Sequence, residues 1–139
     1  MQATFELSTT GSGLYEFTRD IEMFVRGEDT ATGLLTLFCQ HTSCSLVIQE
    51  NADPDVQRDL DAFFKRLVPD TDDPSMSYLR HRAEGPDDMP AHIKAALTQT
   101  SLSIPVSEGR LALGTWQGIY LFEHRIQPHT RRVVAHLSQ

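Results

Sequence analysis

Short apolar runs, alternating or compact, recur along most of the chain and are typical of strands. They predict strands at residues 3–8, 14–17, 33–39, 43–49, 102–106, 110–115, 119–124 and 131–137. The turn residues Gly11–Gly13 and Glu108–Gly109 separate neighbouring runs, and the second pair predicts a two-residue hairpin loop. Antiparallel strand pairs therefore dominate the predicted fold.

The clearest helical pattern follows Asp53, a favourable N-cap residue, with Pro54 at the first helical position and Pro69 as a stop. Apolar residues recur there at helical spacing and share one face: Val56, Leu60, Phe63, Phe64 and Leu67. We expect this face to be buried, with Phe63 and Phe64 in the core.

Two shorter helices are predicted. Thr18 is a candidate N-cap for a helix that ends at Gly27, and Asp87 or Asp88 is expected to cap another that runs to about Thr98. The whole chain, residues 1–139, is thus predicted to form a single α+β domain, a sandwich of mostly antiparallel strands with two or three helices.

Composition narrows the function classes. Twelve basic and nineteen acidic residues give a net charge of −7 without a basic cluster beyond Arg131–Arg132, which argues against nucleic acid as a partner. No apolar run approaches the ~20 residues of a membrane span, and no signal peptide is recognised at the N-terminus. We therefore expect no membrane partner and a cytoplasmic location, with Cys39 and Cys44 reduced and Cys44 in the core.

The long polar segment at residues 69–88 is a candidate functional loop. His81 and His92 bracket Glu84, Asp87 and Asp88, and imidazoles together with carboxylates suit Zn²⁺ or another divalent metal. The alternative is that the aspartates only cap a helix while His92 faces solvent.

A second polar cluster, His41, Thr42 and Ser43, opens a predicted strand; the alternative is a surface histidine beside a turn. The later histidines, 124, 129 and 136, are expected to be exposed. Arg125 is one of several isolated cations that could bind a phosphate. A third cluster places Trp116, the only tryptophan, between Gly114 and Gly118, and glycine there often marks a close backbone approach.

These clusters carry a family resemblance. The segments Gln40–Ser43, Asn51–Pro54, Glu84–Lys94, Gly109–Arg110, Gly114–Tyr120 and Glu123–Arg125 closely resemble, in order and spacing, the YjbQ-like family, described as secondary thiamine-phosphate synthase. The resemblance implies a small α+β sandwich, a homotrimer, and a site that gathers the polar clusters around a divalent metal ion, zinc or magnesium.

Site residues are carried over by position. The positions that match the family's motifs are His41, Thr42, Ser43, Asp87, His92, Thr115, Trp116 and Gln117. Together with neighbouring polar residues they give the expected site: catalytic His41, Asp87, His92, Thr115 and Gln117; substrate-binding Thr42, Ser43, Glu84, Trp116 and Arg125; and metal-binding His41, His81, Asp87 and His92. Some relatives carry a further histidine where this chain has Pro90, so His81 or His41 would have to complete the ligand set here.

Three functions remain open at this point. The first is a metal-assisted transferase that joins a hydroxymethylpyrimidine diphosphate to a thiazole phosphate, so that the partner is a small phosphorylated substrate. The second is a metal-dependent hydrolase of small molecules. The third is a trimeric protein that binds an anion or another ligand without turnover.

Overall fold

Two antiparallel sheets enclose the core, and the computed structural model describes residues 1–139. The strands are β1 (Gln2–Thr9), β2 (Gly13–Glu16), β3 (Thr32–Cys39), β4 (Cys44–Glu50), β5 (Ser101–Ser107), β6 (Arg110–Leu111), β7 (Gln117–Glu123) and β8 (His129–Ser138). The helices are α1 (Thr18–Gly27), α2 (Pro54–Leu67) and α3 (Asp88–Leu97), with a 3-10 turn at Pro74–Met76. None of the helices is both long and apolar enough to cross a membrane.

The larger sheet has the strand order β1-β8-β3-β5-β6, and the smaller has the order β2-β7-β4. Every pair of neighbouring strands is antiparallel. The predicted α+β architecture of antiparallel strands with three helices is therefore confirmed. The sixth strand is shorter than predicted, because pairing with β5 stops at Leu111 rather than continuing to Thr115.

The core lies between the inner faces of the two sheets and under α1. Strand β5 shows the alternation that such packing requires, with Leu102, Ile104 and Val106 buried between exposed neighbours. Cys39 and Cys44 are buried in this core as free thiols, with their sulfur atoms 3.4 Å apart. The core position predicted for Cys44 is confirmed.

The predicted cap of α1 is wrong. Thr18 is the first helical residue, and its hydroxyl donates to Glu16 Oε2 at 2.7 Å and accepts the N–H of Ile119 at 2.8 Å. A threonine before an apolar helix face is typical of a cap, but here a nearby carboxylate and a strand amide compete for the hydroxyl. The hydroxyl therefore ties the start of α1 to β7.

Helix α2 begins and ends as predicted, and the Asp53 carboxylate accepts the N–H of Asp55 at 2.9 Å. Its apolar face, however, is not part of the core: Phe63 is 57% exposed, and Phe64 is only half-buried by an edge-to-face contact with Phe122 at 5.2 Å. Helical spacing shows which residues share a face but not whether another element covers it. Burial of Phe63 is thus a wrong prediction for the single chain.

We expect Phe63→Ala to lower the free energy of unfolding by less than ~1 kcal/mol, because its ring is mostly hydrated already. Phe64→Ala should cost about 2–3 kcal/mol, less than a fully buried phenylalanine, through loss of its contact with Phe122. Urea denaturation of both variants measures the difference. Equal losses would show that another copy covers Phe63 in solution.

The segment between α2 and α3 is ordered by one arginine. The Arg82 guanidinium donates to three backbone carbonyls, those of Leu79 at 3.0 Å, Thr71 at 3.1 Å and Met76 at 3.2 Å. Fixed in this way, the segment returns to the start of α3 and carries the neighbouring His81 with it.

Candidate functional site

Four side chains from this segment and the first turns of α3 converge on one point. The possible ligand atoms of His81, Glu84, Asp88 and His92 all lie within 4.8 Å of one another, and we call this set the His–acid cluster. Asp88 Oδ2 is 2.7 Å from His81 Nε2 and 3.1 Å from His92 Nε2, and Glu84 Oε2 is 3.1 Å from His81 Nε2. Two ligands bound at about 2 Å lie at most about 4 Å apart, so small shifts would suffice to hold one ion.

Local geometry explains why these four residues meet. Asp88 and His92 are four residues apart in α3, a spacing that places both side chains on the same face. Gly85 has a φ of 98°, a left-handed conformation that glycine adopts without strain, and it turns the chain between Glu84 and the helix. The fourth member, His81, is placed by the ordered segment.

A hydrogen bond to a backbone carbonyl fixes the position of one proton on the His92 ring. Its Nδ1 lies 2.8 Å from the carbonyl oxygen of Thr42, which can only accept, so Nδ1 carries the proton. Nε2 then lies 3.1 Å from Asp88 Oδ2, a contact that is satisfied either by a second proton on the ring or by a metal ion between the two atoms. Metal-bound histidines show the same carbonyl-anchored tautomer, so the residues fit a divalent metal ion.

Arg125 makes hydrogen bonds to two members of the cluster and to Asp87. Its Nη1 donates to Asp88 Oδ1, its Nη2 to the Glu84 carbonyl at 3.0 Å, and its Nε to Asp87 Oδ2 at 2.9 Å. Asp87 also accepts the N–H of Ile126 at 3.0 Å and makes no side-chain cap bond to α3. The structure therefore brings Asp88 into the cluster where the sequence had favoured Asp87.

The two aspartates respond similarly to this surrounding. Burial alone would raise the pKa of Asp87, but the Ile126 amide and Arg125 outweigh it and hold the pKa below its usual value. Burial likewise opposes the lowering of the Asp88 pKa, which hydrogen bonding to His81 and the Arg125 charge produce. The hydrogen bond to Asp88 in turn raises the pKa of His81. Both aspartates are therefore stabilised in the ionised form, and His81 is stabilised in the protonated form.

Ser43 belongs to a buried ion pair rather than to the cluster. Arg131 donates to both carboxylate oxygens of fully buried Glu123, at 2.7 and 2.6 Å, and to Ser43 Oγ at 3.0 Å. Thr9 completes the network with a hydroxyl 2.7 Å from Glu123 Oε1. Glu123 also accepts the N–H of Arg125 at 3.2 Å, so the buried pair helps to position the arginine behind the cluster.

His41 lies outside the cluster. Its Nε2 accepts the backbone N–H of Arg132 at 2.7 Å, which uses the nitrogen lone pair that a metal would need. Burial lowers the pKa of His41. His41 does border, together with His92, a cavity of about 590 Å³ whose wall includes Phe38. Its neighbour Thr42 contributes the carbonyl that anchors His92.

The Thr115–Gln117 cluster lies at the opposite end of β7 from Arg125. Seven strand residues separate the two ends, which is about 20 Å at ~3.3 Å per residue. Gln117 Oε1 accepts the Gly114 N–H at 2.7 Å, and Trp116 is 63% exposed. Within one chain, these residues do not join the His–acid cluster.

Gly118 lies close to neighbouring side chains rather than to another backbone segment. A Cβ there would lie 2.7 Å from Glu16 Oε2 and 3.0 Å from Asn51 Cβ, closer than real side chains approach. Part of this cluster of glycines and polar residues thus serves packing rather than chemistry.

His124 was expected to be exposed and is instead 2% exposed. Burial, with a contribution from the Lys94 charge, lowers its pKa to about 3. The residue follows a continuous apolar run in β7, and such runs indicate strands that are covered on both faces. The apolar run before His124 was therefore the feature of the sequence that could have predicted its burial.

This burial predicts an acid-dependent loss of stability. Between the unfolded pKa of 6.5 and the folded value of about 3, the unfolded chain binds one more proton at His124, so stability falls as the pH drops through this window. At pH 5 the loss should be about 2 kcal/mol, at ~1.4 kcal/mol per pH unit. Urea denaturation between pH 7 and 5 measures it. His124→Phe should flatten this dependence and exposed His136→Phe should not; unchanged slopes in both would contradict the assignment.

The fold and the site together define a class: a small two-sheet α+β protein with a histidine- and carboxylate-lined site that is suited to a divalent metal. Comparison with known proteins identifies its family. A family model described as "UPF0047 protein YjbQ-like" matches residues 3–139, and the chain belongs to this family.

Similarity to individual proteins leads to the same family. The chain is 52% identical over 137 residues to a UPF0047 protein of Synechocystis sp., covering 99% of this chain and 90% of the relative. It is 44% identical over 138 residues to the UPF0047 protein YjbQ of Escherichia coli O157:H7, with 99% and 96% covered.

Solved structures show the same fold. A yjbq/upf0047 family protein of Clostridium acetobutylicum superimposes with a TM-score of 0.86 at 33% identity, covering 98% of this chain and 99% of that one. A conserved hypothetical protein of Thermus thermophilus has a TM-score of 0.84 at 37% identity, with the same coverage.

Proposed function

We propose that this protein is a divalent-metal-dependent enzyme whose ion is held by His81, Asp88 and His92, with Glu84 as a fourth ligand or a base beside it. The observation that carries the proposal is the convergence of the possible ligand atoms of His81, Glu84, Asp88 and His92 within 4.8 Å of one another, with His92 Nε2 3.1 Å from Asp88 Oδ2. Two imidazoles favour zinc over magnesium, which prefers oxygen ligands. This ligand set replaces His41 and Asp87 of the sequence-based hypothesis.

For the reaction, we favour the thiamine-phosphate synthase-like transfer. A bound divalent ion would supply Lewis-acid stabilisation of the leaving diphosphate. Arg125 is already engaged by Asp87 and Asp88, so the chain has little free positive charge there for a phosphorylated substrate. The cavity bordered by Phe38, His41 and His92 is the candidate position for the pyrimidine ring, because it combines apolar walls with hydrogen-bonding groups.

A metal-dependent hydrolase is the second candidate. Glu84 is largely exposed and its carboxylate lies 3.1 Å from His81 Nε2. If Glu84 is not a ligand, it is placed to accept a proton from a water molecule at the cluster. The same centre would then hydrolyse a small molecule instead of transferring a pyrimidine group.

We further propose that the protein acts in the cytoplasm as a homotrimer. In a closed ring each interface uses two different patches of one chain, so the Thr115–Gln117 cluster of one subunit can approach the His–acid cluster of another. Phe63 and Trp116 are exposed in the single chain, and such an interface would bury them. A monomer mass measured by light scattering at micromolar concentration would contradict both the trimer and the shared site.

Two measurements test the function. Elemental analysis of untagged protein should find about one divalent ion per chain; a metal-free protein that still binds ligands would favour the non-catalytic binding protein. Incubation with hydroxymethylpyrimidine diphosphate and thiazole phosphate should then yield thiamine phosphate and pyrophosphate. A metal-loaded protein without this product would favour the hydrolase.

A further inference from the structure

A second cavity, of about 540 Å³, lies on the other side of Asp87 from the His–acid cluster. Its volume falls within the roughly 300–1,000 Å³ that is typical of small-molecule sites. Its buried lining residues are Val68, Asp87, Lys94 and His124, and the exposed aspartates 70, 72 and 73 form its rim. The proposed metal enzyme makes no use of this cavity.

Lys94 is a buried charge without a partner. The residue is 6% exposed, yet its ammonium group makes no hydrogen bond and has no carboxylate oxygen within 4 Å. Lys65, the other lysine of the chain, is half-exposed and pairs with Asp61 at 2.9 Å. Because the Lys94 nitrogen is not fully buried and the residue lines the cavity, the ammonium group can contact a ligand there.

His124 lines the same cavity and has an unsatisfied ring nitrogen. Thr98 Oγ1 lies 2.6 Å from Ser45 Oγ and 2.8 Å from the Lys94 carbonyl oxygen, and Ser45 Oγ lies 2.9 Å from His124 Nε2. In the tautomer in which Ser45 donates to Nε2, the ring proton of His124 is on Nδ1. Nδ1 is buried without a partner, although buried polar groups are nearly always hydrogen-bonded.

We propose that this cavity binds the carboxylate of a small amino acid-like molecule. The Lys94 ammonium would bind the carboxylate, and a His124 Nδ1–H would be the second donor in this part of the cavity. The rim carboxylates of Asp70, Asp72 and Asp73 repel ligands with several negative charges and attract an ammonium at the far end of the ligand. A zwitterion therefore matches both ends of the cavity, whereas a dianion matches only one.

The test is an NMR titration of ¹⁵N-labelled protein with four probes: 4-aminobutanoate, butanoate, succinate and inorganic phosphate. We expect saturable shifts at Lys94, His124 and residues 69–74, with affinity highest for 4-aminobutanoate, lower for butanoate and lowest for the two multiply charged anions. Tighter binding of succinate or phosphate would overturn the zwitterion assignment. No saturable shift with any probe would show that the cavity holds only water.

Matched variants locate the binding. Lys94→Met should weaken 4-aminobutanoate binding by at least about tenfold, the loss expected for a hydrogen bond to a charged group, since tenfold represents about 1.4 kcal/mol. Lys65 also lines the cavity, but it is half-exposed and paired with Asp61 at 2.9 Å, so Lys65→Met should weaken binding by less than about threefold. Equal effects of both substitutions would overturn the role of Lys94. Should Lys94→Met fail to fold, the ring nitrogen shifts of His124 in the unsubstituted protein still decide the matter, since an unprotonated Nδ1 removes the second donor.

The outcome is independent of the metal proposal. Lys94→Met should leave metal occupancy at the His–acid cluster unchanged, because neither its side chain nor that of His124 is hydrogen-bonded or ion-paired to the four cluster residues. Loss of metal together with loss of carboxylate binding in this variant would contradict the separation of the two sites.

Discussion

Arg131→Met is expected to lower the free energy of unfolding by about 3–5 kcal/mol, the largest stability effect of any substitution considered. The arginine donates two hydrogen bonds to fully buried Glu123 and one to Ser43. Methionine fills a similar volume but leaves the Glu123 carboxylate buried without a counter-charge. Urea denaturation at pH 7 measures the loss.

The neighbouring residue provides the control. Arg132 pairs with Glu6 at 3.2 Å, but both side chains are mostly exposed, so Arg132→Met should cost less than ~1 kcal/mol. The double variant Glu123→Gln with Arg131→Met should be less unstable than Arg131→Met alone, because no ion then remains buried. A loss below about 1 kcal/mol for Arg131→Met would mean that water reaches Glu123 in the folded protein.

Asp88→Asn is expected to have the largest effect on the site, a reduction in metal affinity of more than about 100-fold. The carboxylate oxygen between His81 and His92 is the negative charge nearest both imidazoles, and replacing outer-shell partners alone costs about 10–100-fold. Zinc titration against a competing chelator measures the affinity, and circular dichroism verifies the fold.

Asp87→Asn is the matched control for that substitution. Asp87 faces Arg125 and Ile126 rather than the cluster, so metal affinity should fall by less than about tenfold. If Asp87→Asn abolished metal binding and Asp88→Asn retained it, the ligand set implied by the family resemblance would be right and the arrangement described here wrong.

These paired aspartates show how far the sequence reaches into the site. Imidazoles and carboxylates from His81 to His92 marked a candidate metal site beside the alternative of a helix cap, and the four-residue spacing of Asp88 and His92 could have selected Asp88. No local pattern could show that the Thr42 carbonyl would orient His92 from fifty residues away, or that Arg132 would occupy the lone pair of His41. Such contacts depend on how distant strands are brought together.

The sequence by itself determined the class of fold, the bounds of α2, and the strand character of most of the chain, because hydrophobic periodicity and capping residues act within a few positions of one another. Only the tertiary structure decided that Phe63 stays exposed in the single chain and that His124 is buried. It also decided that the Thr115–Gln117 cluster lies about 20 Å from Arg125, at the other end of β7. Burial and convergence are set by which elements pack together, a property of residue pairs far apart in the chain that local periodicity does not encode.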